Sequence, residues 1–88
     1  MSTTADIQKA VLSRVARRVR AMRLSKGLTQ EAAAGRAGLA PRHFQKIEAA
    51  EVNVTLKTLA RIAAALGVDV GELLQEPDHE QATDRLPI

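Results

Sequence analysis

Residues 38–48 read GLAPRHFQKIE, gathering nitrogen donors around the only aromatic side chain of the 88-residue sequence. Arg42, His43, Gln45 and Lys46 surround Phe44. A guanidinium or ammonium can donate to the O6 and N7 edge of guanine, and a glutamine amide can pair with adenine through two hydrogen bonds. Phe44 itself suits two jobs. It could stack on an unpaired base, or it could anchor a helix from beneath while the other face does something else.

Helical spacing separates these readings. Phe44 and Ile47 stand three apart and share a face, whereas Arg42, Gln45, Lys46 and Ala49 fall opposite, at about 100° per residue. Phe44 is therefore read as core, and the polar residues as what the helix presents. Pro41 suits the first helical position because its ring presets φ. Leu39 and Phe44 have the spacing of a hydrophobic staple. Ala40 makes a poor cap, about 1 kcal/mol worse than Ser or Thr.

Other elements must hold this helix in place. Leu12, Val15, Val19 and Met22 recur at steps of three and four, which predicts a first helix over about 6–26, with Ile7 and Val11 extending the stripe backwards. Gly27 ends it. Thr29 caps a second helix, over about 29–36, with Glu31 at the positive end of its dipole. That helix turns Ala33, Ala34 and Ala37 inward, so a neighbour can come close, and Gly38 stops it. A fourth helix runs from a Thr55 cap through Leu56, Leu59, Ile62 and Leu66 to Gly67. A fifth begins at Asp69, which forms a capping box with Glu72, while Val68 and Leu73 supply a second staple. The expected layout is an N-terminal arm or helix extension at 1–8, one domain at 9–75 and an acidic disordered tail at 76–88.

Composition agrees with an all-α fold. Sixteen residues are alanine and one is aromatic, which favours close-packed helices over sheets. No cysteine is present, which excludes disulfides and thiolate metal sites. Two scattered histidines and no carboxylate cluster give no catalytic or metal constellation, so an enzyme is not expected, nor a cofactor or small-molecule ligand. His79 reads as solvated. With no membrane-length apolar run and no signal peptide, a cytoplasmic protein is the default. The net charge of +3 conceals an asymmetry: residues 9–46 carry ten Lys/Arg against one acid, and residues 47–88 carry three against eight. The basic half suits a polyanion.

Two short helices joined through Ala37, Gly38 and Leu39 describe a helix-turn-helix. TQEAAAGRAGLAPRHFQKIE, followed by TLKTLARIAAALGVDVGELL, resembles the lambda-repressor-like, or XRE-type, helix-turn-helix family. The resemblance covers roughly residues 15–75. Its most specific features are Thr29-Gln30, Ala34, Gly38, Ile47-Glu48 and the Leu-Gly-Val block at 66–68. It implies a five-helix DNA-binding domain, with the helix-turn-helix at about 29–48 and the helix at 41–49 in the major groove of double-stranded DNA.

Position by position, the resemblance makes Pro41, Arg42, Gln45 and Lys46 the base-reading candidates, with Pro41 against a thymine methyl. Thr29 and Gln30, at a helix N-terminus, become phosphate contacts; an interhelix hydrogen bond is the other role open to Gln30. Arg36, His43 and Asn53 join the phosphate set, and the arginines of the first helix are expected to raise general affinity. Glu48, an anion on the reading helix, is paired in the family with the arginine at Arg23, a structural contact rather than a reading one.

The sequence departs from the family pattern at Ala40, at Ala50 and at Glu51, Val52 and Val54. Ala50 stands where a glycine normally ends the reading helix, so the helix is expected to run on or bend differently. Family members usually dimerise through the fifth helix. That nominates Val70, Leu73 and Leu74 for a homodimer seam, together with Leu86 and Ile88, although Leu73 is better read as core. The favoured function is a sequence-specific regulator on a palindromic operator. The alternative is an interaction module of the same fold whose basic face meets an acidic protein.

Overall fold

Helices here begin where a short polar side chain can take an orphan backbone N–H. Thr3 accepts from the Asp6 amide and Asp6 accepts from the Thr3 amide, a capping box that opens α1 (Thr4–Ser25). Thr29 caps α2 (Gln30–Ala37), Thr55 caps α4 (Leu56–Leu66), and Asp69 with Glu72 opens α5 (Val70–Leu73). Only α3 (Pro41–Glu48) starts without a side-chain cap, because Ala40 has nothing to offer. Its start relies on Pro41 at the first helical position, where no N–H is left to satisfy. This computed structural model describes residues 2–76. Expectations for the acidic tail, including His79, Leu86 and Ile88, therefore fall outside the described residues.

The expected all-α, five-helix fold is what forms, with no strand among the described residues. The main boundary difference is at the N-terminus. The segment expected as arm or extension is continuous with α1 from Thr4. Residues 2–10 are nonetheless exposed throughout, Ile7 included, so the core begins only near Val11.

The ends of α1 to α4 share one geometry. After α2, the Leu39 amide donates to the Ala34 carbonyl and the Gly38 amide to Gly35. The same crossed pair of bonds, a Schellman motif, closes α1 at Gly27 and α4 at Gly67. It requires one residue with positive φ, and Gly38 meets this at φ 70°. After α3 the motif recurs, with Glu51 donating to the Lys46 carbonyl and Ala50 to Ile47. Here the left-handed residue is Ala50, at φ 59°. Thus α3 neither runs on nor bends at this point. It stops at the usual place, with a methyl-bearing residue in a conformation that costs roughly 1–2 kcal/mol outside glycine.

Packing follows from side-chain size. The buried arc of α1 is Val15, Ala16, Val19 and Arg23, slightly rotated from the expected stripe, so that Leu12 and Met22 are half-buried. Ala33, Ala34 and Ala37 are buried on α2, which packs chiefly against α4 and α3. Phe44 and Ile47 of α3 enter the same core as Leu59, Ile62 and Leu66 of α4 and Leu73 of α5. Phe44 has no exposed surface. Full burial of such a side chain contributes about 1.5–3 kcal/mol.

Candidate nucleic-acid interface

With Phe44 and Ile47 held inside, helical geometry sends Pro41, Arg42, Gln45 and Lys46 outward, and all four are exposed. They form one face of α3, from its first turn to its last. His43 lies on the flank and is half-buried. The face offers a guanidinium, an amide and an ammonium within a single short helix. That donor set can address guanine and adenine edges in the major groove.

The exit of α3 is tied down by Glu48, whose side chain is almost entirely buried. Arg23 of α1 meets it through two parallel bonds, Nε to Oε2 at 2.7 Å and Nη2 to Oε1 at 3.0 Å. The remaining arm of the guanidinium, Nη1, donates to the Leu28 carbonyl at 2.8 Å. The hydrogen bonds to Glu48 hold the Arg23 guanidinium above its ordinary pKa, against the opposing effect of burial. Gln30, the first residue of α2, adds a third bond to the carboxylate, Nε2 to Oε1 at 2.9 Å. A single carboxylate thus links α1, α2 and α3. The interhelix role is the one Gln30 occupies; its amide nitrogen still carries a second N–H for another acceptor.

The other phosphate candidates come from the cap and last turn of α2 and from the loop after α3. The Thr29 hydroxyl accepts from the Ala32 amide at 3.0 Å as the cap of α2. Arg36 is exposed in the last turn of α2. Asn53, in the loop between α3 and α4, is exposed, and its Oδ1 accepts from Gln8 Nε2 at 2.6 Å. Gln8 is not among the residues the sequence nominates. The signal was there in its register, one turn before Leu12 on the arc that carries Val15 and Val19 inward.

Three arginines of α1 also make contacts within the chain. Arg14 pairs with Glu76 at 2.9 Å, and Arg17 approaches the same carboxylate at 3.7 Å. Arg18 Nε donates to the Glu72 carbonyl at 2.9 Å, and Arg14 also reaches the Leu74 carbonyl. These cations sit at the open C-terminal end of α5, where unpaired carbonyls favour positive charge. Glu76, placed by the sequence at the start of the tail, is held on α1. Of the three seam candidates, Leu73 is fully buried in the core of the single chain, Val70 is half-buried and Leu74 is 38% exposed.

A buried anchor, a glycine turn and an outward donor face are the parts of a helix-turn-helix DNA-binding domain, and the sequence matches the helix-turn-helix family HTH_3 over residues 19–73. The chain belongs to that family and is a transcription regulator of the XRE type. It is 38% identical over 73 residues to the HTH-type transcriptional regulator y4dJ of Sinorhizobium fredii, covering 83% of this chain and 90% of that one. Among solved structures it is similar to a hypothetical transcription factor, NHTF, from Neisseria, with 30% identity, a TM-score of 0.79 and coverage of 83% and 84%. It is also similar to the restriction-modification controller protein C.AhdI from Aeromonas hydrophila, with 34% identity, a TM-score of 0.70 and coverage of 73% and 97%. Among the described residues no helix is long and apolar enough to cross a membrane.

Proposed function

We propose that this regulator binds a palindromic double-stranded operator as a homodimer, with α3 in the major groove. The observation that carries the reading is the division of α3 into a buried Phe44–Ile47 face and an exposed Arg42–Gln45–Lys46 face. In this reading Arg42 and Lys46 donate to guanine, Gln45 pairs with adenine and Pro41 packs on a thymine methyl. Thr29, Gln30, Arg36, His43 and Asn53 grip the backbone and set the register without choosing sequence. One short helix reads only a few base pairs, so two copies address half-sites about one helical turn (~34 Å) apart. Val70 and Leu74 supply the seam, since Leu73 has no surface left to contribute.

Selection of bound sites from a random duplex pool, followed by a salt-titrated shift assay, tests this. The expected result is an inverted repeat with half-sites about one turn apart and an affinity that falls steeply with salt. A single unrepeated site removes the dimer from the proposal. Binding to no duplex overturns it in favour of an acidic protein partner for the same basic face.

A further inference from the structure

The first two turns of α1 pose a question that the core does not answer. Residues 4–10 are helical and exposed, so they bury little that would stabilise them. They do carry Gln8 along the arc of α1 that faces the rest of the fold. Gln8 and Arg23 lie on nearly the same side of the helix, about 22 Å apart at 1.5 Å per residue. Arg23 holds Glu48, the last residue of α3, and Gln8 holds Asn53 in the loop that follows. The chain leaving the reading helix is therefore fastened to α1 at two points.

The polarity of the second fastening matters. An asparagine amide has an accepting oxygen on one side and two N–H donors on the other. Gln8 Nε2 donates to Asn53 Oδ1 at 2.6 Å, which occupies the oxygen on the α1 side and leaves the Nδ2 donors for another acceptor. A phosphate accepts hydrogen bonds and offers none, so only the donor side of Asn53 can serve it. Without Gln8, either side of the amide can turn towards an anion.

We infer that Gln8 is a positioning residue, which holds the Asn53 amide with its Nδ2 donors directed at a DNA backbone phosphate. The inference rests on the proposed operator binding, and it assigns a role to the exposed start of α1. Gln8 acts through Asn53, so its effect must vanish when Asn53 is removed.

The test is a double-mutant cycle on the full chain, using the selected operator and fluorescence anisotropy over a series of salt concentrations. Gln8→Ala should weaken binding about two- to tenfold, the range for losing the pre-ordering of one side chain. Its salt slope should match that of the unsubstituted protein, because a neutral amide releases no counterion. Asn53→Ala should weaken binding at least as much, and Gln8→Ala should add nothing to it. Gln8→Glu should be worse than Gln8→Ala, because a carboxylate accepts from Nδ2 and turns the Asn53 oxygen outward. That excess should shrink to a salt-sensitive charge effect in the Asn53→Ala background. Thermal melts of the Gln8 variants should stay close to the parent, which separates positioning from folding. Unchanged affinity in Gln8→Ala, or losses that simply add in the double variant, overturns the positioning role while leaving operator binding intact. Failure of the unsubstituted protein to bind any duplex overturns both.

Discussion

Arg23 and Glu48 meet side by side, two nitrogens on two oxygens at 2.7 and 3.0 Å, with both side chains nearly closed off from solvent. An anion on a helix proposed to read DNA looks misplaced until this contact is seen. Removing one member of such a buried pair leaves the other uncompensated, which is why its loss costs more than an exposed ion pair contributes. Glu48→Gln keeps the shape and one acceptor but loses the charge. We expect it to reduce stability by about 2–3 kcal/mol, seen as a melting temperature roughly 10–20 °C lower. Operator preference, measured below the new transition, should be unchanged. A shift in preferred sequence without a loss in melting temperature would place Glu48 on the DNA instead.

Ala50 offers a test of opposite sign. Its left-handed φ of 59° closes α3 in the way Gly27, Gly38 and Gly67 close three other helices. Ala50→Gly relieves roughly 1–2 kcal/mol of backbone strain and costs roughly 0.5–1 kcal/mol in unfolded-chain entropy. Chemical denaturation should therefore show a net gain of about 0.5–1 kcal/mol. A loss of stability would mean that the methyl group packs usefully where it stands.

On the outward face, Arg42→Ala and Gln45→Ala remove groups that touch no part of the core. Each should lower discrimination at one operator position by about 1–3 kcal/mol and leave the melting temperature within ~2 °C. Lys46→Ala should behave similarly if it reads a base. If it binds a phosphate instead, affinity falls evenly over all sequences and the salt slope drops by about one. Competition binding with single-position operator variants distinguishes the two.

The α5 end separates core from seam. Leu73→Ala empties a fully buried site and should destabilise the chain by about 2–5 kcal/mol. Leu74→Asp alters a partly exposed one. Sedimentation equilibrium should find Leu74→Asp monomeric at concentrations where the parent associates, with its helical circular dichroism retained. A dimer that survives this substitution moves the seam elsewhere.

Much of the architecture was readable because it depends on local chemistry. Thr29, Thr55 and Asp69 announce helix starts, Gly38 and Gly67 announce stops, and the three-residue step from Phe44 to Ile47 orients α3. The Thr3–Asp6 box was equally local but stands before an exposed Ile7, where the apolar stripe fades and the helix start blurs. What escaped was long-range and polar. Gln8 and Asn53 are 45 residues apart in sequence, and no periodicity connects them. Charge counting likewise registers Arg14, Arg17 and Arg18 without saying that they turn towards the end of α5. Gln30 fits a phosphate or Glu48 equally well until the burial of that carboxylate is known.

The alanines of α2 carry a consequence for how this regulator can vary. Ala33 and Ala34 have no exposed surface, so a single methyl is all the thickness allowed between α2 and the helices beneath it. A bulkier side chain at either position has to lift α2, and through the tight turn at Gly38 it tilts the helix that follows. In the proposed binding mode, changes in which bases are read can therefore arise from a residue that never approaches a nucleotide, by altering the angle of approach rather than the contacting groups.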